Sequence, residues 1–253
     1  MIQILVWISA LCIGLSLGLI GGGGSTLTVP VMTYLVGLDP KTATAYSLFI
    51  VGISALFGAF RKYKSGDVNI KTGLLFALPS MIAVYLTRLH LVPLLSPLFI
   101  MLFFAFIMMI ASFSMIRGRK KEDQIEDSTY KPNYIYTILL SLAIGLIAGT
   151  VGAGGGFLII PSLVFFLRIP MKKAIGTSLF IISIQSLFGF YGDIRNDSTV
   201  IDWELLLPFS GVAVAGILLG SYLVKYISAN NLKSGFGYFI LLMAIFILSK
   251  ELL

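Results

Sequence analysis

Two glycine clusters occupy equivalent places in the chain. The first is Gly-Leu-Ile-Gly-Gly-Gly-Gly-Ser at 18–25, and the second is Gly-Thr-Val-Gly-Ala-Gly-Gly-Gly at 149–156. Each cluster follows a long apolar run and precedes a shorter one, at 25–37 and 157–168. Because glycine interrupts a helix and lets other backbones approach closely, we expect each cluster to separate two helices.

The clusters belong to an internal duplication. When the sequence is shifted by 131 residues, residues 11–58 align with 142–189 without a gap, and 20 of the 48 aligned positions are identical. Shared apolar composition would supply some of these matches, but it would not keep the glycines, a proline and a lysine in register. We therefore predict two repeats, 1–116 and 134–253, joined by a hydrophilic linker at 117–133.

The composition indicates a membrane protein. Of the 253 residues, 58% are hydrophobic and 11% are charged, whereas a soluble domain has about a quarter charged residues. So little charge excludes a water-soluble globule, and so much apolar surface excludes disorder. Eight further apolar runs are long enough, or nearly so, to cross a bilayer as helices. The predicted fold class is an all-α polytopic membrane protein.

The distribution of Lys and Arg favours one transmembrane topology of these helices. If the two short segments are separate helices, each repeat has about five helical segments and the repeats are inverted. This topology places 14 of the 18 Lys and Arg residues on the side of the membrane where the linker lies. If each short segment instead continues the preceding helix, only 11 of the 18 lie on that side. Positive residues are enriched in cytoplasmic loops, so we predict inverted repeats, a cytoplasmic linker and external termini. The net charge of +7 is assigned to these loops and not to a nucleic-acid partner.

The two glycine clusters are the predicted anion site. A helix that begins after such a turn has unpaired N–H groups and a partial positive charge at its start. Two such starts near the membrane midplane would hold an anion without any cation. The alternative is close helix packing, which is our interpretation of Gly216 and Gly220. The predicted substrate-binding residues are Gly21, Gly22, Gly23, Gly24, Ser25, Thr26, Ser47, Gly152, Ala153, Gly154, Gly155, Gly156, Thr177, Ser178 and Gln185.

Three polar residues in or beside these helices allow two interpretations. Gln185 either bonds to a neighbouring helix or lines the site. Lys41 and Lys172 are matched by the duplication and are predicted on opposite faces. They either draw anions toward the pore or are ordinary lysines that extend to the interface.

The remaining reactive residues are expected outside any site. Asp193 is interpreted as part of a solvated external face, and His90, beside Arg88 at a helix end, as an interfacial residue. Arg88 is counted among the positive residues outside the membrane. Without carboxylates inside the membrane, a proton relay has little support, and no metal or cofactor is predicted. Cys12, the single cysteine, excludes a disulfide and is interpreted as a small buried hydrophobe.

The paired motifs resemble a known family. Each glycine cluster is followed by a proline, Pro30 or Pro161, and then by an Ala-x-x-x-Ser-Leu-Phe helix at 43–49 or 174–180. This pattern resembles the sulfite exporter TauE/SafE family of membrane permeases over essentially the whole chain. The resemblance implies transport of sulfur-containing anions, such as sulfite or organosulfonates, across a prokaryotic inner (plasma) membrane.

The predicted function is secondary transport of small oxyanions by alternating access, with export as the predicted direction. The expected partners are the anionic substrate and the lipid bilayer. An anion channel of the same fold is the nearest alternative. A membrane-embedded enzyme is disfavoured, because a nucleophile needs a base and no His, Asp or Glu is expected inside the membrane.

Overall fold

The computed structural model describes residues 2–117, 134–195, 201–223 and 229–252, and every regular element in these ranges is helical. The predicted linker therefore lies outside the described residues, except for Arg117. In chain order the helices are α1 (Ile2–Ile20), α2 (Ser25–Pro30), α3 (Pro40–Lys64), α4 (Ile70–Leu86), α5 (Pro97–Arg117), α6 (Tyr134–Val151), α7 (Gly156–Pro161), α8 (Met171–Arg195), α9 (Trp203–Leu223) and α10 (Ala229–Leu252).

The helices confirm the predicted class of an all-α polytopic membrane protein. Among the described residues, five segments are long and apolar enough to cross a membrane, namely Pro40–Lys64, Ile70–Leu94, Tyr134–Val151, Met171–Arg195 and Trp203–Leu223. The segment Ile70–Leu94 is α4 extended by a π-helical turn (Thr87–Leu91) and a 3-10 turn (Val92–Leu94).

The two short segments that follow the glycine clusters are half-helices. α2 and α7 have six residues each, and each continues into a five-residue π-helical turn, Val31–Leu35 or Ser162–Phe166. Eleven residues reach only about 16 Å, which is about half of the hydrocarbon thickness. Neither segment can cross a bilayer by itself.

Helices α1, α3 and α9 run in the same direction. In each pair of contacting helices, the residue numbers at the contacts increase together along both helices, so the two helices are parallel. The contacts are Gly14 with Ala213 and Gly18 with Ile217 for α1 and α9, and Tyr46 with Asp202 and Gly58 with Ile217 for α3 and α9. Because α1 and α3 are parallel, the segment between them, which contains the first glycine cluster and α2, must return the chain to the face where α1 begins.

Helices α4, α6 and α8 form a second group, which corresponds to the first when the two repeats are exchanged. They are also mutually parallel, and the segment with the second glycine cluster and α7 returns the chain between α6 and α8. The contacts are Gly145 with Ser80 and Gly149 with Val84 for α6 and α4, and Gly73 with Phe180 and Gly189 with Val84 for α4 and α8.

The pair α3 and α8 joins the two groups and forms the centre of the protein. The glycines of one helix pack against leucines of the other in reverse order, with Gly52 on Leu187 and Gly58 on Leu179, so the two helices are antiparallel. The most apolar stretches of α3 and α8 are 72% buried, against 44% for α4, α6 and α9. These two helices therefore supply most of the walls of any internal site.

Two glycines of α9 confirm the packing interpretation. Gly216 lies against Gly14 of α1, and Gly220 lies against Gly18. At these positions the absence of side chains lets the two backbones come together. The spacing Gly-x-x-x-Gly therefore serves helix association here.

The prediction that Cys12 is buried is wrong. Its side chain is exposed on the outer surface of α1, together with apolar neighbours such as Ile8 (55% exposed). In a bilayer the lipid chains are as apolar as the protein interior. An apolar sequence therefore does not distinguish a core position from a lipid-facing one.

Candidate functional site

The two glycine clusters meet in the middle of the protein. A Cβ atom placed on Gly22 would lie 2.5 Å from the carbonyl carbon and oxygen of Gly156, and one on Gly156 would lie 2.5 Å from the Cα of Gly22. Gly154 packs beside Val51 and Ser186, which lie near the midpoints of α3 and α8. The structure thus brings together the two turns that the duplication pairs in sequence.

Equivalent glycines begin the two chain reversals. Gly21 and Gly152 have φ angles of +77° and +68°, a left-handed conformation that favours glycine. Their amides donate to the last turns of α1 and α6, at the carbonyls of Leu17 (2.8 Å) and Ala148 (2.9 Å). The same local geometry therefore ends both long helices.

In the first turn of α2, side-chain and backbone donors that were expected to be free are already hydrogen-bonded within the protein. The hydroxyls of Ser25 and Thr26 donate to the carbonyls of Gly22 (2.7 Å) and Gly23 (2.8 Å). The Thr26 amide also donates to Gly23, at 3.3 Å. In this conformation these groups stabilise the turn, and the two hydroxyls would have to rotate to donate to an anion.

Ser178 and Gln185 bind the glycine turns from α8. The Ser178 hydroxyl lies 3.0 Å from the Gly21 carbonyl, and the Gln185 side-chain amide donates to the Gly154 carbonyl at 2.7 Å. Gln185 therefore bonds to the second cluster, and its Oε1 has no partner among the described residues. Both side chains are fully buried.

Three serine hydroxyls at the centre are buried without a partner in the described part of the chain. Ser47 and Ser54 belong to α3, and Ser186 belongs to α8. Leaving a buried hydroxyl unpaired costs about 1–3 kcal/mol, so water or another polar molecule that reaches these hydroxyls would gain hydrogen bonds. Ser47 was among the predicted site residues, whereas Ser54 and Ser186 were not. The available signal was the duplication, which aligns Ser54 with Gln185.

Thr177 lies away from the glycine turns. Its hydroxyl accepts a hydrogen bond from the Asn69 amide at 2.9 Å, just before α4 begins. Asn69 in turn caps α4, because its side chain accepts from the Thr72 amide at 3.2 Å. The Thr177 hydroxyl therefore connects α8 to the start of α4, whereas the neighbouring Ser178 hydroxyl lies at the Gly21 turn.

Lys41 and Lys172 mark the two opposite ends of the α3–α8 pair, here called the Lys41 face and the Lys172 face. Both lie in the first turn of their helix, and the helices are antiparallel. The Lys41 ammonium donates to the carbonyl of Pro93 at 3.0 Å. The Lys172 ammonium lies 3.3 Å from Asp67, with its side chain 77% exposed.

The interpretation of Asp193 as solvated is wrong. Asp193 is buried in the last turns of α8 and binds Arg88, which is only 1% exposed. Residues 105 positions apart in the chain form this pair, so the local sequence contains no signal for it. Each charge needs the other there, because an unpaired buried charge would cost far more than the buried pair. Arg88, counted from sequence among the external positive residues, is therefore buried within the protein.

The sequence matches the family described as "Sulfite exporter TauE/SafE" over residues 6–247. The chain belongs to the sulfite exporter TauE/SafE family. The glycine turns, α3 and α8 all lie within the matched range, so the TauE/SafE match covers the whole candidate site. The resemblance inferred from the paired motifs is confirmed.

Relatives with curated names agree with this TauE/SafE assignment. A "Probable membrane transporter protein" of Xylella fastidiosa (strain 9a5c) is 30% identical over 243 residues, which cover 94% of this chain and 92% of the relative. The "Probable membrane transporter protein YdhB" of Bacillus subtilis (strain 168) is 27% identical over 227 residues, 88% of this chain and 90% of the relative. No solved structure matches this chain. The protein is thus a multi-pass membrane protein of a transporter family, and these names indicate no enzyme.

Proposed function

We propose that this TauE/SafE protein is a secondary transporter for small sulfur-containing oxyanions of the sulfite or organosulfonate type. The observation that carries the proposal is the contact between Gly22 and Gly156, with the unpaired hydroxyls of Ser47, Ser54 and Ser186 buried around it. Serine hydroxyls and glycine amides are neutral donors that suit an oxyanion. The anion binds between the glycine turns once they separate.

Alternating access is the proposed mechanism, rather than permanent conduction. The glycine turns are buried and their backbones touch, so an anion cannot pass between them in this conformation. Passage then requires a movement that opens the centre to one face at a time, which distinguishes a carrier from a channel.

The proposed movement relates two inverted repeats. Exchanging the repeats replaces α1, α3 and α9 by α6, α8 and α4, and these two groups run in opposite directions at the antiparallel α3–α8 pair. This arrangement supports inversion about an axis in the membrane plane. Lys41 and Lys172 would then attract anions at the two opposite entrances.

Export across the inner (plasma) membrane is the proposed direction. Sulfite has one or two negative charges near neutral pH, and a membrane potential that is negative inside drives such an anion outward. In the proposed orientation the linker 117–133 is cytoplasmic and the termini are external, as the distribution of Lys and Arg favours.

The test is counterflow of labelled sulfite in proteoliposomes that contain the purified protein. We expect saturable exchange of labelled sulfite, and in a separate measurement net sulfite efflux that a potential, negative inside, accelerates. Ser47→Ala and Ser186→Ala should raise the KM for sulfite, because each removes an unpaired donor. Ser210→Ala is the matched control, since Ser210 already donates to the Leu206 carbonyl within α9 at 2.7 Å. Current that does not saturate would indicate a channel, and an absence of both exchange and current would contradict the proposal.

A further inference from the structure

In the buried pair of Arg88 and Asp193, all three nitrogens of the guanidinium group contact polar partners. The Arg88 Nε lies 2.7 and 2.8 Å from the two carboxylate oxygens, and a terminal nitrogen lies 2.6 Å from one of them. The other terminal nitrogen donates to the Thr44 hydroxyl at 3.0 Å and to the Gly149 carbonyl at 3.3 Å. One side chain therefore connects α3, α6 and α8.

This pair lies beside the second glycine cluster, toward the Lys41 face. Gly152, which begins the chain reversal, packs directly against Thr44, and Thr44 is a partner of Arg88. Ser47, with its unpaired hydroxyl, is one helical turn further along α3. A buried positive charge thus stands within one turn of the proposed anion site.

A second polar group at this place has no partner among the residues described. The Thr87 hydroxyl is buried, with the residue 3% exposed, and it forms no hydrogen bond. Thr87 packs against Gly149, whose carbonyl binds Arg88. The Thr87 hydroxyl is therefore an unpaired donor on a residue that packs against a partner of Arg88.

The chemistry of the pair restricts what can replace Asp193. An arginine does not lose its proton in a protein, so a buried Arg88 needs an anionic partner in every conformation. Sulfite and sulfonates present two oxygens to a planar guanidinium much as a carboxylate does. An oxyanion can thus take the place of Asp193 without leaving Arg88 unpaired.

We propose that Arg88 binds the transported oxyanion, and that Asp193 is the internal carboxylate that neutralises Arg88 when the anion leaves. This inference rests on the proposed function and adds a charged residue to a site otherwise built from neutral donors. Asp193 then competes with the substrate, which favours release of the anion and return of the empty carrier.

The test measures sulfite binding to purified variants by calorimetry and sulfite exchange by counterflow. Asp193→Asn removes the competing carboxylate, so we expect the Kd for sulfite to fall about tenfold, in keeping with a charge-assisted hydrogen bond, and turnover to slow. Arg88→Lys keeps the charge but loses the planar fork, so the Kd should rise about tenfold. The double variant Arg88→Gln with Asp193→Asn should fold and bind no sulfite.

Matched controls are Arg61→Gln, at a half-buried position, and Glu204→Gln, at an exposed one, and both remove a charge away from Arg88. The Arg61 guanidinium donates to the Leu218 carbonyl at 2.9 Å on the Lys172 face. Sulfite binding should be unchanged in both controls. If Asp193→Asn does not fold, the comparison of the double variant with the wild type decides the question.

The outcomes separate this inference from the proposed function. If the wild type and the double variant bind sulfite equally, Arg88 is only structural and the inference is overturned while the proposed function stands. If no variant binds sulfite, but sulfate raises the melting temperature of Asp193→Asn and not of the double variant, the proposed substrate is wrong and Arg88 is still an anion site. If neither anion has any effect, both proposals are wrong.

Discussion

Replacement of Gly22 by alanine tests the central contact, because two ways of reasoning predict opposite results. The duplication aligns Gly22 with Ala153, which is fully buried, so alignment alone predicts that alanine is tolerated. The structure predicts the reverse, since a Cβ on Gly22 would lie 2.5 Å from backbone atoms of Gly156.

The expected loss in the free energy of unfolding follows from that distance. Ordinary contact between carbon atoms needs about 3.5 Å, so the two turns must move apart by about 1 Å. Inserting a methyl group into a well-packed site costs about 1–3 kcal/mol. The new methyl group would contact backbone atoms of Gly156, which cannot rotate away as a side chain can, so we expect Gly22→Ala to lower the free energy of unfolding by about 3 kcal/mol. Sulfite exchange should fall with it, because the turns no longer close.

The measurement is unfolding in mixed micelles titrated with SDS. Tryptophan fluorescence reports on it, since Trp7 and Trp203 both pack against aromatic rings. Two control variants separate the steric cost at Gly22 from the effects of helix propensity and backbone strain. Gly211 has open space around it, so Gly211→Ala should stabilise α9 by up to about 1 kcal/mol. Gly37 has a φ of +84° and also open space, so Gly37→Ala should cost about 1–2 kcal/mol from backbone strain alone. If Gly22→Ala is as stable as Gly211→Ala, the contact between the turns is absent.

Four further substitutions have defined outcomes. Ser178→Ala should destabilise the protein by about 1 kcal/mol in the same titration, because it removes the hydroxyl that lies between the carbonyls of Ile175 (2.8 Å) and Gly21 (3.0 Å). Ser47→Ala should stay within about 0.5 kcal/mol and only weaken sulfite binding. Lys172→Gln should slow anion entry from its face about two- to threefold near 10 mM salt and not near 0.5 M, because salt screens an exposed charge; equal slowing at both salt concentrations would contradict this. Cys12→Leu should change stability by less than about 0.5 kcal/mol, and a loss above about 2 kcal/mol would show that Cys12 packs against protein.

Some features of the site were predictable from sequence, and others were not. Ser47, Ser178 and Gln185 are predicted from sequence because polar residues are rare in apolar helices and the duplication pairs Ser47 with Ser178. Ser25 and Thr26 were also identified, but the direction of their hydroxyls was not. A hydroxyl hydrogen points to whichever acceptor the fold brings closest, and here the acceptors are carbonyls of the same turn.

The sequence by itself determined the membrane class, the two repeats and the positions of the helix breaks. Hydropathy and glycine content are properties of contiguous residues, and an internal duplication is visible on comparing the chain with itself. Only the tertiary structure decided that Gly22 touches Gly156, that Arg88 is neutralised by Asp193, and that Cys12 faces outward. These depend on distances between residues far apart in the chain, and in a bilayer the solvent is as apolar as the core, so hydrophobicity does not reveal which side of a helix faces the protein.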